Sequence, residues 1–101
     1  MFKTEAGALS DSILLTMEIA TYPEKFSDDI TIEINTISED HCIITLSNQT
    51  GNILRMMGVN IIQGKNEIHF DNVTMLEAGT YQISVKNTTS KILYSSMLIK
   101  L

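Results

Sequence analysis

LEAGTYQISVKNTTSKILYSSMLIKL, residues 76–101, is the stretch on which the reading of the fold rests. In its first half Tyr81, Ile83 and Val85 alternate with Gln82, Ser84 and Lys86, the period of a strand with one dry face and one wet face. In its second half apolar residues crowd residues 92–101 between Lys91 and Lys100, which suits a strand covered on both faces or one lying along a sheet edge guarded by charge. Asn87, Thr88, Thr89 and Ser90 lie between the halves and supply turn chemistry, so the stretch predicts a β-hairpin opened by Gly79.

Working back from that hairpin, the same period recurs. Residues 13–21 predict a first strand, with Leu15, Met17 and Ile19 on one face, and Tyr22 and Pro23 end it. The chain is then expected to cross between sheets through residues 24–29. Ile30, Ile32 and Ile34 give the cleanest amphipathic strand, and residues 41–48 the next, with Cys42, Ile44 and Leu46 on one parity. Gly51 supplies positive φ to the turn that follows. Residues 53–62 predict a longer strand, bent or bulged at Gly58, before a turn at Gly64 and Asn66 and a strand with Ile68 and Phe70 inward. About seven short strands at ten-residue spacing predict an all-β chain, an antiparallel β-sandwich.

The chain's 101 residues suit one domain, expected over residues 13–101 behind a leader or linker remnant at 1–12. A net charge of −5 with seven scattered bases argues against nucleic acid. The charge is lopsided: residues 1–50 hold nine acids and two bases, net −7, and residues 51–101 three acids and five bases, net +2. The longest run free of Asp, Glu, Lys and Arg is residues 41–54, shorter than the roughly 20 apolar residues of a membrane-spanning helix. Residues 1–20 lack the basic start and apolar core of a secretory signal.

Four blocks in order carry a resemblance: TYPEKFSDDITIEI, LSNQTGNIL, QGKNEIHFDNVTMLEAGTYQISV and the ending SMLIKL. Together they resemble the C-terminal sorting domain of the Bacteroidetes type IX secretion system, type A, from about Met17 to Leu101. The family's Tyr-Pro-Asn-Pro-Phe opening is kept at Tyr22, Pro23 and Phe26, with Glu24 and Lys25 in the other places. Its Asp-x-x-Gly turn becomes Asn48 to Gly51, its Gly-x-Asn turn is Gly64 and Asn66, and its Gly-x-Tyr is Gly79 and Tyr81. Met97, Leu98, Ile99 and Lys100 match the closing strand with its basic end.

The resemblance implies an immunoglobulin-like sandwich that ends a larger exported protein, addresses that cargo to the outer-membrane translocon and is cut off by a sortase at the surface. The implied location is secreted or on the outer-membrane cell surface, with periplasmic transit. The implied partners are translocon and sortase proteins, with no nucleic acid or small-molecule substrate. Gly79 and Tyr81 would fix the hairpin, and Met97 to Lys100 would form a short exposed edge open to strand addition. The alternative is an immunoglobulin-like adhesion or spacer module of a surface protein, with no signal. Starting at Met1 with no cargo ahead of it, the chain reads either as an excised segment or as a small free-standing protein.

Nothing in the sequence calls for catalysis, a metal or a cofactor. His41 and His69 are the two histidines and read as solvent-facing strand positions, without ligand partners at metal spacing. Glu24, Asp28 and Asp29 share one loop but lack the alternating oxygen ligands of a calcium loop. Ser10, Ser12 and Ser27 have no base beside them and no nucleophile elbow. Met56, Met57, Met75 and Met97 read as gap-filling core, and the lone Cys42 as a buried structural thiol. Asn48, Asn72 and Asn87 each begin an Asn-x-Thr sequon, read as turn residues at strand ends.

Overall fold

A computed structural model describes residues 17–101; the expected leader and residues 13–16 of the expected first strand lie outside them. Eight strands follow in order: β1 Met17–Tyr22, β2 Lys25–Phe26, β3 Ile30–Thr36, β4 Asp40–Ser47, β5 Ile53–Ile61, β6 Gly64–Phe70, β7 Gly79–Asn87 and β8 Ile92–Lys100. They form a three-stranded sheet in the order β1-β3-β6 and a five-stranded sheet in the order β2-β8-β7-β4-β5. All neighbours run antiparallel except β2 and β8. The architecture is an immunoglobulin-like β-sandwich.

The alternating apolar positions make the core between the sheets. Ile30, Ile32 and Ile34 of β3 face Cys42, Ile44 and Leu46 of β4 and Ile83 and Val85 of β7, all fully buried. Each such side chain contributes about 1.5–3 kcal/mol by leaving water, so this face fixes the register of every strand. Val73, also fully buried, anchors the long connection from β6 to β7, and Leu76 packs beside it. Arg55, the one arginine, holds the same connection from outside by donating Nε and Nη2 to the Asn72 carbonyl at 3.2 and 2.8 Å.

The strand over Lys25 and Phe26 makes eight among the described residues, in keeping with the about seven expected; two residues are too few to show a period. Two expectations are corrected. The bulge lies opposite Leu46 and Ser47, where Leu54 is the extra residue, and Gly58 pairs in register with Ile43. A Cβ added at Gly58 would meet the His41 ring at 3.5 Å, an ordinary contact, so space does not require glycine there. Met56, Met75 and Met97 are not core: they are 64, 90 and 53% exposed, because the first and last take the outward parity of β5 and β8 and Met75 lies in a loop. Met57, of opposite parity, does pack on the core.

Two turns are copies of each other. Asn48 Oδ1 accepts from Thr50 N, Thr50 Oγ1 and Asn52 N at 3.1, 2.8 and 3.0 Å. Asn87 Oδ1 accepts from Thr89 N, Thr89 Oγ1 and Lys91 N at 3.0, 2.8 and 2.9 Å. The fourth residue of each takes positive φ, 90° at Gly51 and 67° at Ser90. The sequons at Asn48 and Asn87 are thus turn-building residues.

The register also sorts the loops to two ends of the sandwich. Met17 pairs with Thr36, which pairs with Gly64, so the chain enters the described fold at the end that carries the β3–β4, β5–β6 and β7–β8 turns. Lys100 pairs with Gly79 at the opposite end, beside residues 23–29, the β4–β5 turn and the β6–β7 connection.

Candidate functional site

Six residues expected to be read by a partner come together at that second end. β7 and β8 pair Gly79 with Lys100, Tyr81 with Leu98 and Gln82 with Met97, and Thr80 with Ile99. Gly79 has φ 152°. Two residues on, Tyr81 turns inward and donates its hydroxyl to the Glu77 carbonyl at 2.6 Å. A tyrosine at the start of this strand reaching back a few residues is the tyrosine corner of immunoglobulin-like sandwiches, and it locks the loop to the strand. Its ring meets Phe26 edge to face at 6.1 Å.

Phe26 arrives there because Tyr22 and Pro23 end β1 and release the chain from the three-stranded sheet. β2 then joins the other sheet, pairing Lys25 with Ile99 and Phe26 with Lys100. Ile99 N donates to the Glu24 carbonyl at 2.8 Å and Leu101 N to the Phe26 carbonyl at 2.9 Å. The expected exposed edge is therefore corrected at its tip: Lys100 lies between β7 and β2, is 9% exposed, and donates Nζ to the Leu101 carbonyl at 3.1 Å. Along residues 92–98 none of the described strands covers β8 on that side. Because Ile99 and Leu101 direct their N–H groups toward β2, strand alternation directs those of Ser95 and Met97 to the same, open side.

Of the remaining motif residues, Gly51 sits at the same end in its Asx-built turn. Beside it a cleft of about 450 Å³ separates residues 48–50 from residues 75–81, with Leu54, Leu76 and Ala78 as its apolar walls and Glu77 as its one charged group. Gly64 (φ 100°) and Asn66 lie at the far end. There Asn66 Oδ1 accepts from Ile62 N at 2.9 Å, and Nδ2 donates to the carbonyls of Ile34, Ile62 and Gly64 at 3.1, 2.9 and 3.3 Å. Asn66 thus ties the two sheets across the β5–β6 turn.

The ionisable groups offer little chemistry. Burial, then the Asp40 charge, pushes the Cys42 thiol above its ordinary pKa. Tyr22 donates to Glu33 Oε1 at 3.0 Å, and that bond, ahead of burial and the charges of Glu33 and Glu67, raises its pKa. His69 Nδ1 lies 3.3 Å from Asp29 Oδ2 and Nε2 3.5 Å from Glu67 Oε1 on the outer face of the three-stranded sheet. His41 Nδ1 pairs with Asn60 Oδ1 at 2.8 Å. Among the described residues no three His, Cys, Asp or Glu side chains gather as a metal site.

Sequence reasoning did not single out Ser95 or Arg55, and it read Glu24 only as a loop carboxylate and a replacement in the Tyr-Pro opening. Glu24 acts through its carbonyl, which no side-chain pattern reports, whereas Arg55 as the one arginine in the chain was a signal available to it.

A family model described as the secretion system C-terminal sorting domain matches residues 20–100. No curated protein matches. Among solved structures the fold is similar to part of a β-glucosidase from Bifidobacterium adolescentis (TM-score 0.52, 12% identity, 84% of this chain and 17% of that one). It is also similar to part of a β-glucosidase from Listeria innocua (TM-score 0.51, 12% identity, 83% and 16%). The chain spans about a sixth of those enzymes, and the likeness is one of fold alone.

Proposed function

We propose, because this chain belongs to the secretion-system C-terminal sorting domain family, that it is the sorting signal of an exported cargo protein, addressing it to the type IX translocon and the cell surface through the periplasm. Membership in a family of sorting signals points to a non-catalytic role and to export by that machinery. The observation that carries the reading is the extent of the match, which takes in β2 to β8 entire, the closing strand included. The recognised element in this reading is β8, with Gly79 and Tyr81 holding it in place and the open side of Ser95 and Met97 accepting a strand of the machinery. A sortase would then act on the delivered protein.

The test is a reporter carrying a Sec signal and this chain at its C-terminus, expressed in a Bacteroidetes host. The intact fusion should reach the surface, and deletion of residues 96–101 should hold it in the periplasm. Ser95→Pro removes a backbone donor on the open side and none to β7, losing toward β7 only the exposed bond that Gln82 Nε2 donates to Ser95 Oγ; Ser95→Ala, which loses that bond alone, is the folding control. Surface delivery unchanged by the deletion and by Ser95→Pro would overturn the reading.

A further inference from the structure

The outward faces of the two sheets differ in kind. On the three-stranded sheet the outward positions include Glu18, Glu33 and Glu67, and the lysine among them, Lys65, is held by Glu33 at 3.5 Å. On the five-stranded sheet none of the acids in residues 17–101 takes an outward position, although the whole chain carries a net charge of −5. Besides Lys25 and Lys86, its outward side chains are Ser, Thr, Gln and Asn, His41, and the apolar Ile43, Ile53, Met56, Ile92, Met97 and Ile99, of which Ile53, Met56, Ile92 and Met97 are half exposed or more. Lys25 lies at one end of this face and Lys86 toward the other. At its centre Thr45, flanked in register by Met56 and Ser84, is already only 4% exposed.

We infer that this face is a docking surface for a protein of the export machinery whose contact patch is apolar and hydroxyl-bearing at its centre and carries carboxylates at its margin, where they meet Lys25 and Lys86. The inference rests on the sorting reading above and adds a second contact to the β8 edge. An acid-free face on an acidic chain favours a partner bearing negative charge, because the lysines have no carboxylate of their own on that face to satisfy them. Four strands about 4.8 Å apart and eight or nine residues long, with the two residues of β2 beside them, give roughly 600 Å², about three quarters of the roughly 800 Å² that each partner contributes to a standard interface. The apolar side chains supply the contact and the two lysines its orientation.

The test uses the same reporter fusion with Met56→Glu and Lys86→Glu, both on the face and away from the open side of β8, and Glu18→Lys on the opposite face as control. The expected result is a fall in surface delivery of about tenfold for the first two and none for the third, with the melting temperature of the 101-residue chain unchanged. Delivery of Met56→Glu and Lys86→Glu at the level of the unmodified fusion overturns this inference and leaves the sorting reading standing. An unmodified fusion that stays in the periplasm overturns both. Light scattering of the purified chain should give a monomer; a dimer abolished by Met56→Glu would make the occupant a second copy and overturn the inference. So would lysine-dependent flotation with phosphatidylglycerol vesicles.

Discussion

Phe26 and Tyr81 meet edge to face, with ring centroids 6.1 Å apart and planes at 66°. This contact joins the shortest of the described strands to the tyrosine corner and so holds β2 against the end of β8. Phe26→Ala should cost about 3–5 kcal/mol, since Phe26 is 1% exposed and its loss leaves a cavity. Tyr81→Phe keeps the ring and loses only the bond to Glu77, for about 0.5–1.5 kcal/mol. Urea unfolding measures both. Equal costs would mean that the hydroxyl, not the ring, secures the corner.

The twin turns predict opposite outcomes at equivalent positions. Ser90 holds φ 67° without being glycine, so Ser90→Gly should stabilise the protein by about 0.5–1 kcal/mol. Gly51→Ala, at φ 90°, should destabilise it by about 1 kcal/mol, although nothing stands within 4 Å of the new Cβ. Thermal melts of the two variants should move in opposite directions.

Asparagine to aspartate should be tolerated at position 48 and not at 66. At Asn48 the side-chain oxygen is only an acceptor, a task a carboxylate performs at least as well. At Asn66 the amide also donates to three carbonyls, which a carboxylate would repel. Asn66→Asp should cost about 2–3 kcal/mol and Asn48→Asp under about 0.5 kcal/mol, by the usual worth of such bonds. A melt in which both behave alike would refute this assignment of roles.

Cys42 makes stability fall in base. Its folded pKa lies above the ordinary value, so its contribution is fully present below the unfolded thiol's pKa of about 8.5 and is lost as pH rises above it toward the folded value. Cys42→Val removes a titrating group without opening a void of any size, so the loss of stability above about pH 9 should be shallower in that variant. Equilibrium unfolding at a series of pH values from 7 to 10 checks it, and parallel curves would rule out the thiol as the cause.

The fold was legible where a side-chain period runs long enough to be seen. Ile30, Ile32 and Ile34 and the run Tyr81, Ile83 and Val85 announce their buried faces, and all are core. β2 was not legible because it contributes two residues and is defined by backbone bonds from Glu24 and Phe26 to Ile99 and Leu101. The methionines misled because composition says nothing of parity: Met56 and Met57 are neighbours in sequence and point to opposite faces. The candidate site was visible as a set of residues, Gly79, Tyr81 and Met97 to Lys100, while the covering of its tip was not. That covering depends on where a segment more than seventy residues upstream comes to rest.

The two ends of the sandwich lie at opposite poles of the fold: Met17 pairs at one and Lys100 at the other. The first described residue is thereby held at the pole away from β8's finish, and the cause is an odd number of full crossings: seven of the eight described strands run from pole to pole, while β2, two residues long, stays at the far one. One full crossing more or fewer would bring Met17 and Lys100 onto the same pole.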